Sequence, residues 1–398
     1  MASDRTGEKR MTLSHKIQLD PTVKQRIYFA KAAGTSRFVY NWALAEWNRL
    51  YEAGEKPTGY VLEKNFNAMK YKEFPWIKEI HRDAHKRPFT NLHLAFNRFF
   101  QKKAKRPTFK KKGKRDAFYM ENYVFRVDGS RIRLPRIGWI RLTEPLRFAG
   151  KINYAVVSRK ADRWFISVSV DVGEYKKPRV SDNIVGVDLG LTSFATLSTG
   201  EHIIAPKPLR TMLSRLQKRS RDHSRKQKGS NNKKKSAMRL ARLHAEIGNV
   251  RSDFLHKLST RLCQENQLIA IEDLRVRNMI KNRKLSRAIA DASWSEFRRQ
   301  LEYKATIFGT QVVVVNPRNT SKACSNCGCI KETLSLSDRV YRCTECGVEI
   351  DRDVNAAKNI HTLGSREIQA CGESVRPVCK KAVLAEAGTR KLSVRRAS

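Results

Sequence analysis

The chain has 398 residues, 40% of them hydrophobic, which is enough for two or three domains with proper cores and excludes a wholly disordered protein. Its 81 lysines and arginines against 38 acids give a formal net charge of +43. An excess spread over the whole chain repels itself unless phosphates neutralise it, so a nucleic-acid partner is indicated. No apolar run of about 18 residues is available to span a membrane. The opening MASDRTGEKRMTL lacks the apolar core of a secretion signal. The eight cysteines are therefore read in a reducing compartment, as metal ligands or core residues rather than disulfides.

Helical signals dominate the first hundred residues. Asp20-Pro21 reads as a cap followed by a first-turn proline, with Gly34 closing that helix. Ser36 is placed to cap a second helix, RFVYNWALAEWNRLY, and Phe89, Leu92, Phe96 and Phe99 then repeat at helical spacing as a core stripe. QKKAKRPTFKKKGKR, residues 101–115, holds nine cations in fifteen positions. Pro107 and Gly113 forbid one continuous helix there, so a phosphate-binding loop centred on Lys110, Lys111 and Lys112 is expected, with a linker as the alternative. Beyond it the period changes to two. YVFRVDGSRIRL and INYAVVSRKADRWFISVSVDV read as hairpins of a β-rich module, into which residues 15–19 are expected to pair.

A second change falls near Ser181. NIVGVDLG, SFATLS and EHIIA read as three meandering strands, followed by a basic helical hairpin over residues 207–265 with KQKGSNNKKKS at its tip. QLIAIEDL and TQVVVVNP are two further buried strands, flanking a helix over residues 294–308. There Trp294, Phe297, Leu301, Ala305 and Phe308 form the core stripe. A last helix begins near Asp353. This order of elements is that of an RNase H-like α/β domain with a mixed sheet.

In that order Asp188 and Glu272 end two strands that would be parallel neighbours, and an acid on the closing helix would complete a cluster. Three carboxylates so close repel one another unless divalent cations sit among them, and two Mg²⁺ ions there would activate water against a phosphodiester. Each acid taken alone reads more readily as a solvated loop residue, and it is the three at matching points that indicate a site. Strand alternation separates Glu272 from its neighbour Asp273. For the third acid Asp351 and Asp353 both qualify. Asp353 is favoured because Asn355, Ala356 and Ala357 let the helix approach the sheet, which leaves Asp351 as runner-up or cap.

Cys324-x-x-Cys327 and Cys343-x-x-Cys346 stand fifteen residues apart, the pattern of two knuckles closing a structural four-cysteine Zn²⁺ ribbon. Such a staple, inserted between the last strand and the closing helix, would return Asp353 to the sheet. Cys329 is a possible competing ligand, Cys263 reads as core, and Cys371 and Cys379 fall in the tail.

GVDLGL, IEDL, CSNCG…CTECG and DRDVNAAKNI, in that order, resemble the transposon-encoded TnpB family, relatives of type V CRISPR effector nucleases. The FVYNWAL helix, the RPTFKKKGK loop and SWSEFRRQLEYKA extend the likeness from about His15 to Ile360. The resemblance implies an RNA-guided DNA endonuclease of the prokaryotic cytoplasm. It would use a guide called ωRNA or reRNA and cut double-stranded DNA beside a transposon-adjacent motif. Its RuvC acids would be Asp188, Glu272 and Asp353, holding Mg²⁺, and its zinc ligands Cys324, Cys327, Cys343 and Cys346. The implied organisation is a leader and first wedge strand (1–19), a helical recognition domain (20–116), a β-barrel-like wedge domain (117–180) and a RuvC-like core (181–317). A zinc ribbon (318–350), a closing helix (351–365) and a disordered tail (366–398) follow. Tyr60, Arg82 and Lys86 would lie near the motif-reading surface, residues 277–284 would form a lid, and the tip at residues 224–236 would meet RNA. A guide-directed repressor without cleavage, or a transposase or its accessory, are the alternatives.

Overall fold

The first strand, β1 (Thr12–Asp20), is laid down before any helix, and its partners arrive more than a hundred residues later. The computed structural model describes residues 10–371, apart from Lys176 and Leu336, together with the short strand Leu384–Ala385. These fall into two units, residues 10–174 with the short strand, and residues 175–371. Residues 1–9, most of the expected tail and Cys379 lie outside the described residues, as does the Cys371 side chain. No helix among the described residues is long and apolar enough to cross a membrane.

In the first unit β1 leads into α1 (Val23–Glu52), α2 (Gly59–Glu73) and α3 (Asp83–Phe100). The strands β2 (Ala117–Glu121), β3 (Arg126–Asp128), β4 (Arg131–Leu134), β5 (Gly138–Leu142), β6 (Lys151–Lys160) and β7 (Arg163–Asp171) follow. They pair antiparallel in the order β2-β6-β7-β1-β5-β4-β3, with Ile17 opposite Ile166, and Leu384–Ala385 adds to β1 in parallel. The path is open, with β2 and β3 as its ends, so the expected barrel-like module is not a closed barrel among the described residues.

The expected break at Gly34 is absent: α1 is a single helix of 30 residues. Its cap is Thr22 rather than Asp20 or Ser36. The Thr22 hydroxyl accepts the Gln25 N–H while the Gln25 side chain accepts the Thr22 N–H, a reciprocal box that satisfies two otherwise orphaned donors. The helix stays whole because its two halves serve two cores. Phe29, Ala32 and Ala33 pack with the sheet residues, while Val39, Leu44 and Trp47 pack with Leu62, Phe89 and Leu92 of α2 and α3. A mid-helix glycine costs about 1 kcal/mol against alanine, less than exposing any one of those large side chains, at roughly 1.5–3 kcal/mol.

The second unit begins with β8 (Asn183–Asp188), β9 (Ala195–Leu197) and β10 (His202–Ile203). Next come α4 (Pro208–Thr211), α5 (Leu213–Ser224), α6 (Asn231–Glu265), β11 (Asn266–Glu272), α7 (Val276–Met279), α8 (Ser286–Ala292), α9 (Trp294–Phe308) and β12 (Gln311–Val315). A hairpin of β13 (Val340–Arg342) and β14 (Glu349–Asp351) precedes α10 (Arg352–Cys371). The sheet order is β10-β9-β8-β11-β12, antiparallel through β10, β9 and β8 and parallel through β8, β11 and β12. The hairpin tip expected between two basic helices is the turn from α5 to α6. The five stripe residues of α9 are all buried. Between α6 and α9, the buried Lys304 ammonium is satisfied by His256 O at 2.7 Å and by the Ser259 and Thr260 hydroxyls at 2.9 and 2.8 Å. The closing helix runs on past residue 365 to Cys371.

Candidate active site and cysteine cluster

Parallel pairing sets Val187 opposite Ile271, so Asp188 and Glu272 are the next residues on adjacent strands, both at the carboxyl ends. Strand alternation puts Asp188 on the same face as Gly186, and Glu272 on the same face as Ala270. That face carries α10. A Cβ on Gly186 would stand 2.2 Å from the Ala357 carbonyl oxygen, and one on Gly364 would stand 2.4 Å from the Ala270 Cβ. Glycines therefore let the helix lie against the strands and bring its first turn, with Asp353, to the acids. Asp273 points the other way, its carboxylate held by Arg298 of α9 at 2.7 Å.

The electrostatics register this crowding. Burial, then the negative charges of Glu272 and Asp353, push the Asp188 carboxyl up to about 8, against a smaller opposing pull from Arg352 and the Leu189 N–H. Glu272, 8% exposed, is raised by burial, and the Thr320 hydroxyl partly offsets this by donating to its Oε1 at 2.5 Å. Asp351 caps α10: one of its oxygens accepts the Asp353 N–H at 2.9 Å and the Val354 N–H at 3.0 Å. The Nε2 of His202 lies 3.9 Å from that same oxygen, and its Nδ1 meets the Thr196 hydroxyl at 3.2 Å.

Among the described residues, Cys324, Cys327, Cys343 and Cys346 form the one group of three or more potential metal-ligating side chains at binding distance, their sulfurs all within 4.8 Å of one another. Cys324 and Cys346 are 3.6 Å apart and Cys327 and Cys343 are 3.5 Å apart. The three acids share an electrostatic neighbourhood without closing to that distance. Each cysteine knuckle turns on a glycine with positive φ, Gly328 at 78° and Gly347 at 67°. The two knuckles match bond for bond: the Cys324 N–H donates to Cys329 O at 2.8 Å and the Cys343 N–H to Val348 O at 2.9 Å. Cys329 thus fills the place that Val348 fills in the second knuckle, contributing a backbone carbonyl rather than a sulfur to the cluster.

Hydrogen bonds that the motif reading did not foresee tie cluster to acids. Asn355 donates to Ala323 O at 2.7 Å and accepts the Ser325 N–H at 2.8 Å, while Asn359 donates to Thr320 O at 2.9 Å and to Ala323 O at 2.8 Å. Thr320 is also the partner of Glu272. Two asparagines one helical turn apart were the available signal, but their partners lie thirty or more residues away.

The expected nucleic-acid residues are all on the surface of the first unit. Tyr60 is 78% exposed near the start of α2, and no hydrogen bond or ring contact joins it to Arg82 or Lys86. The Arg82 guanidinium donates to the Tyr123 hydroxyl at 3.2 Å, and Lys86 is exposed on α3. Lys110 lies 3.6 Å over the Tyr40 ring, and its backbone pairs with Asn41, so the basic loop is anchored to α1. Lys111 and Lys112 are exposed.

Comparison with known proteins agrees with this architecture. The OrfB_IS605 family profile, described as "Probable transposase", matches residues 166–283, and that of the Cas12f1-like TNB domain matches residues 294–360. A helix-turn-helix profile matches residues 11–56, where the structure has one strand and one unbroken helix. A Streptomyces pristinaespiralis protein named "Putative RNA-guided DNA endonuclease" is 39% identical, with 91% of each chain covered. The "Putative RNA-guided DNA endonuclease InsQ" of Escherichia coli K12 is 35% identical over 90% of this chain and 94% of its own. In fold, the chain is similar to a Cas12f1 solved with sgRNA and target DNA. That match has a TM-score of 0.52 at 16% identity and covers 85% of this chain and 83% of the other. A mixed α/β sheet with acids at its carboxyl edge and a four-cysteine insertion before the closing helix defines the class. The chain belongs to the TnpB family.

Proposed function

We propose that this chain is an RNA-guided, metal-dependent DNA endonuclease with an RNase H-like (RuvC) site formed by Asp188, Glu272 and Asp353. The observation that carries this reading is that Glu272 and Asp353, from two distant chain segments, come close enough to Asp188 at one sheet edge to raise its proton affinity. Oxygen donors of this kind suit Mg²⁺, and Asp188, Glu272 and Asp353 would hold it. Bound there, the ions supply Lewis acidity and an activated water for phosphodiester hydrolysis. The chain's own part is placement. The Thr320 hydroxyl fixes the Glu272 carboxylate, the Asp351 cap fixes the first turn of α10, and Gly186 lets that turn reach Asp188. The four sulfurs fit a structural Zn²⁺, whose tetrahedron at about 2.3 Å per bond has edges of about 3.8 Å.

The relatives' names support the RNA guide and DNA substrate. The family resemblance supports a transposon-adjacent motif beside the target, with the helices of the first unit as recognition elements, its sheet as the wedge, and residues 277–284 as a lid. The test is cleavage of a target plasmid by the purified protein with its co-purifying RNA sequenced and supplied. Cutting is expected with Mg²⁺ and the RNA together and should vanish without either. Asp188→Ala should cut at least roughly a hundredfold slower while still binding guide and target. Full cutting by Asp188→Ala, or loss of binding with it, would sink the assignment.

A further inference from the structure

The second unit contains a cavity of about 490 Å³ that none of the three acids lines, although Gly190 and Leu191, just beyond Asp188, do. Its floor is apolar, with Leu191, Pro206, Pro208, Phe254 and Ala288. Its cations are Arg210, Arg251, Arg283, Lys284 and Arg287, alongside Lys207, whose ammonium is taken by Thr192 O at 2.9 Å. One acid faces them, Asp291, and it is already engaged. Its carboxylate accepts the Leu209 and Arg210 N–H groups at 3.0 and 3.2 Å and pairs with Arg251 at 2.8 Å. Arg210, Arg283, Lys284 and Arg287 have no ion-pair partner among the described residues. The Nε of Arg251 is buried with no hydrogen-bond partner.

The volume lies within the roughly 300–1,000 Å³ typical of small-ligand pockets. An apolar, aromatic-walled floor under a cationic rim matches a nucleobase below its phosphates. We propose that this pocket holds one unpaired nucleotide of the DNA strand being cut. Its base would lie against Phe254 and Ala288, and its flanking phosphates on Arg283, Lys284 and Arg287. The proposal rests on the nuclease reading for the identity of the strand. The pocket would give the strand a fixed register just ahead of the acids, so it is a positioning site rather than a catalytic one.

The experiment titrates full-length protein carrying its co-purified RNA with a short single-stranded DNA, with neither Mg²⁺ nor chelator added, so that no cutting is needed and the four-cysteine site keeps its metal. Arg287→Glu reverses an exposed rim charge without touching the core, and Ala288→Trp fills the floor. Each is expected to weaken DNA binding roughly tenfold while leaving retained RNA unchanged. Arg287→Gln should lower the slope of log affinity against log salt by about 0.7, one phosphate contact. With an abasic oligonucleotide the Ala288→Trp penalty should disappear. Unchanged DNA affinity in Arg287→Glu and Ala288→Trp overturns the pocket, and loss of RNA in its place assigns it to the guide and overturns the DNA assignment. The two readings fail separately. Wild-type protein that binds through the pocket yet never cuts defeats the nuclease, and cutting protein whose variants bind normally defeats the pocket.

Discussion

In the first unit His85 lies among helix residues at 3% exposure, and burial, with Lys70 and two neighbouring cationic groups, pushes its imidazole down to about 4. In the second unit Asp188 is pushed up to about 8 by burial and by two further acids. Both shifts favour the uncharged form, but for different ends. His85 is buried on α3 near Lys70, His81 and Arg82, where a neutral ring adds no further positive charge. The Asp188 environment gathers like charges, and among the described residues no lysine or arginine ion pair reaches any of the three acids. A core that only needs stability expels charge; a sheet edge that keeps three acids together without a cationic side chain for each is arranged for a cation from outside.

The sharpest way to break that contrast is at the four cysteines, where the proposed zinc would carry structure. Structural zinc contributes on the order of 10 kcal/mol in isolated ribbons. Cys343→Ser, or strong chelation of the wild type, is expected to unprotect the backbone amides of residues 318–350 in hydrogen exchange, with one equivalent of zinc lost by mass spectrometry. Retained protection without metal would make the cluster a packing feature. A smaller effect is expected at the acid edge. Gly186→Val places carbon where the Ala357 carbonyl stands, so α10 must lift from β8 at a cost of more than about 3 kcal/mol in urea unfolding, and cutting should go with it. Wild-type stability in that variant would mean that α10 is not seated as described.

The smallest expected effect is the pH response of the first unit. The folded pKa of His85 lies below its unfolded value of 6.5, so its contribution is whole above pH 6.5 and is lost as pH falls toward and through 4. Up to about 3 kcal/mol should disappear over that window, followed by hydrogen exchange of α3 amides. His85→Leu should flatten the dependence, and an unchanged slope in that variant would assign the acid sensitivity elsewhere.

Much of this was legible in the residues themselves. The strand-end motifs VGVDLG and IAIEDL, the stripe of α9 and the two CxxC knuckles are local patterns, and the structure realises each as a strand, a helix and a four-sulfur cluster. The unbroken α1 was not legible, because Gly34 signals a stop and only packing on two cores overrides it. Nor were the roles of Cys329, Asn355 and Asn359, whose partners are backbone groups that carry no sequence signature, or of Thr320, whose Glu272 partner lies 48 residues away.

By itself the sequence determined the chemical inventory of this protein: a strong positive charge, four spaced thiols and acids at the ends of buried strands. Tertiary structure alone decided which acid turns toward α10 and which toward Arg298, that glycines let helix and sheet touch, and that a cationic pocket opens beside the acids. The physical reason is range. Periodicity and knuckle spacing act within a few residues, whereas register, close approach and crowded charge arise only when segments more than eighty residues apart share one place.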